Sequence, residues 1–136
     1  MRPFTAEWTA AFVQAINASA EYRAAARGWN DTLALRLEAT PTLGYHADTV
    51  IVLALADGRC GSGVVMHGGE ADAPITLRGD YAAWKDVFLG GIDPIGAVLR
   101  GRLAVEGSLI TLVRHARAAV ALVAAARTVP TTFSDR

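Results

Sequence analysis

Residues 84–107 read WKDVFLGGIDPIGAVLRGRLAVEG, which is neither a plain core helix nor a plain strand. It begins with the spacing of an amphipathic helix, breaks at Gly90-Gly91, restarts at Asp93-Pro94 and breaks again at Gly101. Aspartate is a good N-cap and proline is favoured at the first helical position, so a single helical turn is expected there. The alternation in RLAVE then predicts a short strand that ends at Gly107. Many apolar side chains therefore lie on short pieces of chain separated by glycines.

Four further helices are predicted by polar caps that precede apolar residues spaced three or four positions apart. Thr5 and Ser19 precede the first two, and Asp80 precedes the helix that carries Trp84. Ser108 is expected to cap one long amphipathic helix near the end of the chain. Together with the single turn, these segments give five helices.

Four strands are predicted before the broken helix, in the segments TLALRLE, DTVIVLALADG, RCGSGVVMH and PITLRG. Asp57-Gly58 is the strongest hairpin signal, because both positions of such a turn need positive φ. The glycines of the return strand indicate a bulge or a close approach by another part of the chain. The predicted order is ααββββααβα, an α+β fold in which helices cover one face of a five-stranded, mainly antiparallel sheet.

The composition excludes several classes of protein. Thirteen Lys and Arg balance 13 Asp and Glu, so a nucleic-acid partner is not expected. Cys60 is the only cysteine, which excludes an internal disulfide and a cysteine-rich zinc site. Apolar residues make up 52% and charged residues 19%, against about 25% charged in an average domain. We expect a single domain over residues 1–136 that has more apolar surface than its size requires.

Targeting signals are not evident in the sequence. No stretch approaches the roughly 18 to 20 apolar residues of a membrane span, and Glu7 and Gln14 interrupt any signal-peptide core. The last residues, Ser134-Asp135-Arg136, do not resemble a Ser-Lys-Leu peroxisomal signal. We therefore expect a soluble cytoplasmic protein.

Residues that could carry chemistry are sparse. His46, His67 and His115 lack the spacing of a helical zinc site, and the glycines of DGRCGSGVV fit no phosphate-binding loop. Cys60 has no assignable base, so a buried, inert thiol is expected. The sequence predicts no catalytic residue, no metal and no cofactor.

Three segments resemble the sterol carrier protein type 2 (SCP-2, non-specific lipid-transfer) family. The Gly28-Trp29 step precedes the first strand, a helix with Trp84-Lys85 runs into the turn at 90–94, and GRLAVEG at 101–107 is similar to the family's G-K-L-x-x-x-G segment. The resemblance covers about residues 5–127 and indicates a stand-alone, single-domain member. It implies an apolar tunnel between sheet and helices that holds lipids without modifying them.

The resemblance implies a lipid-like ligand but no particular one, and no set of binding residues carries over from the family. The residues named below are therefore inferred from their positions on the broken helix and the last helix. The ligand would be a lipid-like small molecule of the sterol, fatty acid or acyl-CoA class, and the function its non-catalytic binding and transfer. We expect a monomer or homodimer that contacts membranes transiently, with the ligand's polar head near Arg100 or Arg102. The expected ligand-binding side chains are Trp84, Val87, Phe88, Ile92, Ile95, Val98, Leu99, Leu112, Val113, Ala116 and Val120.

Two other function classes stay open at this point. A small α+β enzyme of the isomerase or cyclase type, acting on a hydrophobic substrate, would need an acid, tyrosine or histidine in the cavity. Tyr81 and Thr76 are the candidates for such a group. An interaction module would instead present an exposed apolar groove to a helix of a partner protein.

Overall fold

The computed structural model describes residues 1–134, which form six α-helices, one 3-10 turn and five strands. The helices are α1 (Ala6–Ala18), α2 (Ala20–Ala25), α3 (Tyr81–Leu89), α4 (Pro94–Leu99), α5 (Leu109–Arg114) and α6 (Ala116–Ala126), and the 3-10 turn spans Pro41–Leu43. The strands are β1 (Thr32–Leu37), β2 (Thr49–Ala56), β3 (Arg59–His67), β4 (Ile75–Gly79) and β5 (Ala104–Gly107). Asp135 and Arg136, which complete the tail compared above with a peroxisomal signal, lie outside the described residues.

The strands form one sheet in the order β3-β2-β1-β4-β5. Three neighbouring pairs are antiparallel, but β1 and β4 are parallel, with Leu33 opposite Ile75. The parallel pair arises because residues 68–74 carry the chain from the edge strand β3 past β2 and β1. Arg36 donates a hydrogen bond to the carbonyl of Gly69 in this link at 2.8 Å. The predicted sheet is confirmed, and its mixed strand directions refine the expectation.

Each polar cap predicted from the sequence accepts a backbone N–H from the residue three positions further on. The distances from the side-chain oxygen to that nitrogen are 3.2 Å for Thr5, 3.0 Å for Ser19, 2.8 Å for Asp80, 2.9 Å for Asp93 and 3.1 Å for Ser108. These bonds satisfy N–H groups that have no partner within their own helix. The predicted helix starts are therefore confirmed.

The prediction of a single long helix after Ser108 is wrong. His115, with φ −107° and ψ 31°, separates α5 from α6. The His115 ring stacks on the indole of Trp29, with centroids 5.0 Å apart and planes 8° from parallel. Trp29 is fully buried, and its indole N–H donates to Asp31 at 2.9 Å. A contact between residues far apart in the sequence therefore holds the break, which helical periodicity cannot reveal.

The β2–β3 hairpin matches its sequence signals. Asp57-Gly58 adopts φ values of 46° and 86°, as its turn requires. The register between the strands shifts at Ala54/Leu55, which confirms the predicted bulge. A Cβ on Gly63 would lie 2.7 Å from a methyl carbon of Val13 in α1. The helix packs this closely on β3 because Gly63 has no side chain.

The core lies between the helices and one face of the sheet. Leu33, Leu35 and Leu37 of β1 project from that face and are buried. Five aromatic rings pack together above it, with the centroids of contacting rings 5.0 to 6.2 Å apart. We call the set of these five residues the aromatic cluster: Phe4, Trp8, Phe12, Trp84 and Phe88.

Candidate functional site

A groove of about 420 Å³ opens between α2, α4 and α6. Its volume falls within the roughly 300 to 1,000 Å³ typical of small-molecule sites. Aliphatic side chains from all three elements form its apolar part, and three charged residues lie among them. The lining of this α4–α6 groove is Glu21, Ala25, Asp93, Ile95, Ala116, Arg117 and Val120.

Two further depressions continue from the groove along α6. The first, of about 460 Å³, shares Asp93 and Val120 with the groove and includes Arg100 and the glycine turn at 90–91. The second, of about 250 Å³, shares Arg127 with the first and lies between the end of α3 and the residues after α6. All three open to solvent. Because neighbouring depressions share lining residues, the three together follow one side of α6.

The turn between α3 and α4 forms one wall of these depressions. Gly90 adopts φ of 86° and ends α3, and the cap at Asp93 then starts α4. Ala97 is fully buried and anchors α4, whereas Ile95 and Val98 stay half-buried. Helix α4 is thus anchored to the core through Ala97, while Ile95 and Val98 remain partly accessible at the surface.

Four of the predicted ligand-binding residues lie in the groove or in the adjoining depression. Ile95 and Ala116 line the groove, Ile92 lines the adjoining depression, and Val120 lines both. All four are half-buried. The structure therefore brings together side chains from the broken helix and from α6.

Four other predicted residues are buried in the core. Trp84 and Phe88 belong to the aromatic cluster, and Val87 and Leu112 are also buried. The indole N–H of Trp84 donates to the backbone carbonyl of Arg36 at 2.9 Å. In this structure the rings of Trp84 and Phe88 pack against other rings and do not surround an open tunnel.

The remaining predicted residues lie outside these depressions. Val98 is half-buried, but 82% of Leu99 and 56% of Val113 are exposed. Of the two predicted head-group residues, Arg100 lines the adjoining depression, whereas Arg102 donates to the carboxylate of Asp86 at 2.9 Å. Val98, Leu99 and Val113 line none of the three depressions. Their role in binding stays a prediction.

Most lining residues of the three depressions were not predicted as site residues from the sequence, and four of them lie on α2 or on and beside α6. Glu21 and Ala25 come from α2, and Arg117 and Arg127 lie on or next to α6. The resemblance concerned the broken helix and the last helix, so nothing in it pointed to α2. The approach of α2 to α6 depends on the whole fold, and no local spacing in the sequence signals it.

Another depression, of about 490 Å³, lies between the N-terminal segment and the loop before β2. Arg2, Tyr45, His46 and His67 are among its lining residues. The Arg2 guanidinium lies 4.6 Å from the centroid of the Tyr45 ring, whose hydroxyl donates to the Pro3 carbonyl at 2.6 Å. These contacts serve the local structure, and none of the predicted ligand-binding residues lies here.

The candidate groups for an enzyme, Tyr81 and Thr76, do not line the groove. Tyr81 is buried and its hydroxyl accepts the N–H of Ser134 at 3.1 Å, while Thr76 is buried in β4. Within residues 1–134 no Asp or Glu is buried and no three potential metal ligands cluster. The carboxylates that do line the groove, Glu21 and Asp93, are exposed, and Asp93 is the cap of α4.

Cys60 is buried, as expected for an inert thiol. Burial raises the pKa of this thiol to about 11, and its S–H donates to the carbonyl of Ser62 at 3.3 Å. The side-chain amide of Asn17 also holds both the backbone N–H and the carbonyl of Cys60, each at 2.8 Å. A thiol so placed is a poor nucleophile near neutral pH.

Known proteins share both the sequence pattern and the fold. The sequence model of the SCP-2 sterol transfer family matches residues 12–119. A crystal structure of sterol carrier protein 2 is 35% identical, with a TM-score of 0.89, and the match covers 95% of this chain and 100% of that one. The chain belongs to the SCP-2 sterol transfer family. The family and fold expected from the sequence are therefore confirmed.

Other solved structures extend the SCP-2 comparison. A conserved hypothetical protein from Thermus thermophilus, described as a possible sterol carrier protein, is 34% identical with a TM-score of 0.88, and the match covers 100% of this chain and 95% of that one. Sterol carrier protein 2 from Yarrowia lipolytica, in its apo form, shares the fold at 17% identity and a TM-score of 0.56, over 88% of this chain and 89% of that one. No curated protein sequence matches the chain.

Membership of the SCP-2 family supports a general role in binding or transferring a lipid-like small molecule. SCP-2 domains are generally non-catalytic lipid carriers. In the described part of the chain, residues 1–134, no helix is both long enough and apolar enough to cross a bilayer.

Proposed function

We propose that this SCP-2 protein, as one domain over residues 1–136, binds a lipid-like ligand without modifying it and transfers it, with the apolar part of the ligand in the α4–α6 groove. One observation carries the proposal: half-buried aliphatic side chains from α4 and α6 line a groove of ligand size. Three of the eleven residues predicted to bind the ligand, Ile95, Ala116 and Val120, line this groove. The expected ligand is an acyl chain or sterol.

Burial of apolar surface would drive binding. Each methylene removed from water contributes about 0.8 kcal/mol, so a chain of about a dozen methylenes offers on the order of 9 kcal/mol before costs. Ordering the ligand and the groove side chains subtracts several kcal/mol from that sum. An acyl chain that extends from the groove into the adjoining depression would gain the larger part of this burial free energy.

The polar head of the ligand would lie in the adjoining depression. Arg100 and Arg127 both line it and both are exposed. The acidic residue of this depression, Asp93, already accepts the Gly96 N–H as the cap of α4. Two guanidinium groups at one end of an apolar groove favour a carboxylate or phosphate head.

A deeper ligand position would require α4 to shift away from α6. This helix has six residues, and glycines lie close to it on both sides, at 90–91 and at 101. Glycine lowers the cost of a backbone change at these points. Such a shift would extend the groove toward Trp84 and Phe88 and would turn these core residues into ligand contacts.

Titration with a fluorescent fatty acid analogue tests the proposal. The unmodified protein is expected to bind at one saturable site. Ile95→Asp, which places a carboxylate in the apolar wall of the groove, is expected to weaken binding at least about ten-fold, or roughly 1.4 kcal/mol. Val64→Asp is the matched control, because Val64 is an exposed valine on β3 outside the groove; it should bind as the unmodified protein does.

The head-group assignment has its own arm in the same titration. Arg100→Gln is expected to weaken binding of the fatty acid about two- to five-fold, as for an exposed ion pair, and to leave a fatty alcohol of equal length unaffected. The proposal fails if fatty acids, fatty alcohols and sterols all show no saturable binding. It also fails if Ile95→Asp binds as tightly as Val64→Asp.

A further inference from the structure

Helix α5 presents an apolar face to solvent. Leu109, Ile110 and Val113 are 50%, 74% and 56% exposed, whereas Leu112 is 1% exposed. The 100° turn per residue places the first three within a single 100° arc of the helix, and Leu112 lies outside that arc. Single exposed aliphatic residues are ordinary on protein surfaces, but three on one turn form a patch.

The patch is fixed in place and does not result from a frayed helix end. Ser108 caps α5 through the Thr111 N–H at 3.1 Å, and its hydroxyl also donates to the Thr111 hydroxyl at 2.8 Å. Leu112 anchors the buried side, and the stack of His115 on Trp29 holds the C-terminal end. These contacts therefore hold in place a helix whose apolar face is exposed to solvent.

Positive charge borders the apolar patch. Arg114 lies on α5 itself and Arg117 lies one turn further along the chain, and both are exposed. Residues 107–134 contain three arginines and one histidine but no Asp or Glu. The acid that precedes α5, Glu106, accepts from Arg78 at 3.0 Å. Across the groove, Glu21 and Asp93 face Arg117, so the unbalanced charge lies on the α5 side.

We propose that the face formed by Leu109, Ile110, Val113 and Arg114 docks on the surface of an anionic lipid bilayer. This inference rests on the proposed function, because it names the place where the lipid carrier would meet its membrane. An apolar face with basic residues beside it is the pattern of an interfacial helix, in which the apolar side chains enter the headgroup region and the basic residues are attracted to anionic lipids. A second copy of the chain fits less well, since a stable dimer needs about 800 Å² from each partner, more than one six-residue helix offers.

The position of α5 gives docking a direct use. Ala116 and Arg117, which line the α4–α6 groove, follow α5 within three residues. A bilayer in contact with α5 would therefore lie next to the part of the groove that the first residues of α6 form. A lipid could pass between the two with little of its apolar surface exposed to water on the way.

Co-sedimentation with vesicles tests the docking surface. The unmodified protein is expected to bind vesicles of phosphatidylcholine mixed with phosphatidylglycerol, to bind pure phosphatidylcholine less tightly, and to dissociate from the mixed vesicles as salt is raised. Ile110→Asp should weaken binding to the mixed vesicles at least about ten-fold, because it replaces carbons that docking would bury in the bilayer by a charge. Val64→Asp adds the same charge at a similarly exposed valine of β3 and should retain binding.

Each other outcome overturns the proposal. Equal losses in Ile110→Asp and Val64→Asp would show a general charge effect, and no loss in Ile110→Asp would exclude α5. A dimer in solution that Ile110→Asp dissociates would assign the face to a second copy. The fatty acid titration, carried out without vesicles, separates this proposal from the preceding one: Ile110→Asp should bind the soluble analogue as the unmodified protein does.

Discussion

Two buried hydroxyl groups show how single residues affect the stability of this protein. Within residues 1–134, the hydroxyl oxygens of Thr9 and Tyr22 are fully buried and have no hydrogen-bond partner. Burial, and secondarily the nearby Cys60, raises the pKa of Tyr22, so its phenol stays neutral. An unpaired buried hydroxyl costs about 1 to 3 kcal/mol relative to one that stays solvated.

Removing the Tyr22 hydroxyl should therefore stabilise the protein. Tyr22→Phe keeps the ring packing and is expected to raise the free energy of unfolding by about 1 kcal/mol, measured by urea denaturation. The matched control is Tyr45→Phe, which loses the 2.6 Å bond to the Pro3 carbonyl and should lower that free energy by about 1 kcal/mol. If both variants lose stability equally, Tyr22 has a partner in solution and this interpretation of the site is wrong.

At the residue scale, local chemistry was predictable and packing partners were not. The caps Asp80 and Asp93 could be assigned from sequence because a cap needs only a polar side chain and an N–H three residues away. Trp84 and Phe88 were predicted to bind the ligand, and in the structure both rings lie in the aromatic cluster. Hydrophobicity does not say whether an inward ring packs against another ring or against a ligand, so their place in the aromatic cluster could not be read from the sequence.

At the element scale, Asp48 joins three parts of the sheet. Its carboxylate accepts from the Arg36 guanidinium at 2.8 Å and from the Ala39 N–H at 2.9 Å, and its carbonyl accepts from Gly68 N–H at 2.7 Å. These contacts connect β1, the loop before β2 and the link after β3. The Arg36 hydrogen bond, followed by that of Ala39, holds the pKa of Asp48 below its ordinary value.

The lowered pKa gives a pH dependence with a defined sign. The carboxylate stabilises the fold fully above the unfolded-state pKa of about 3.9, and this stabilisation is lost as pH falls below that value. Asp48→Asn should lower the free energy of unfolding at pH 7 by about 1 kcal/mol and should lose less stability than the unmodified protein between pH 7 and pH 3, measured by urea denaturation. Asp72→Asn, in the exposed link after β3, is the control and should leave stability unchanged. Equal pH dependence in Asp48→Asn and the unmodified protein would refute the assignment.

Element boundaries followed the sequence wherever their causes were local. The Asp57-Gly58 turn and the bulge beside it were predictable, because φ preferences and strand glycines are properties of a few residues. The parallel pairing of β1 with β4 depends on where a seven-residue link returns to the sheet, and the α5–α6 break depends on Trp29. Both causes act between distant segments, so periodicity alone predicted one long helix.

At the scale of the whole molecule, the apolar surplus has three destinations. Part of it forms the aromatic cluster and the leucine face of the sheet, part lines the α4–α6 groove, and part lies exposed on α5. Composition predicted the surplus but not this division, because only the folded chain determines which aliphatic side chains face one another. The groove and the α5 face lie next to each other, as a carrier that loads at a membrane would require.

Native mass spectrometry of the freshly purified protein tests the central claim that the α4–α6 groove carries a lipid. The account predicts a population with one bound lipid, which organic extraction removes, added fatty acid restores, and Ile95→Asp lacks while Val64→Asp retains it. A spectrum that shows only the bare chain, both before and after lipid is supplied, would contradict the account. A bound lipid that Ile95→Asp retains as well as Val64→Asp would contradict the location of the site.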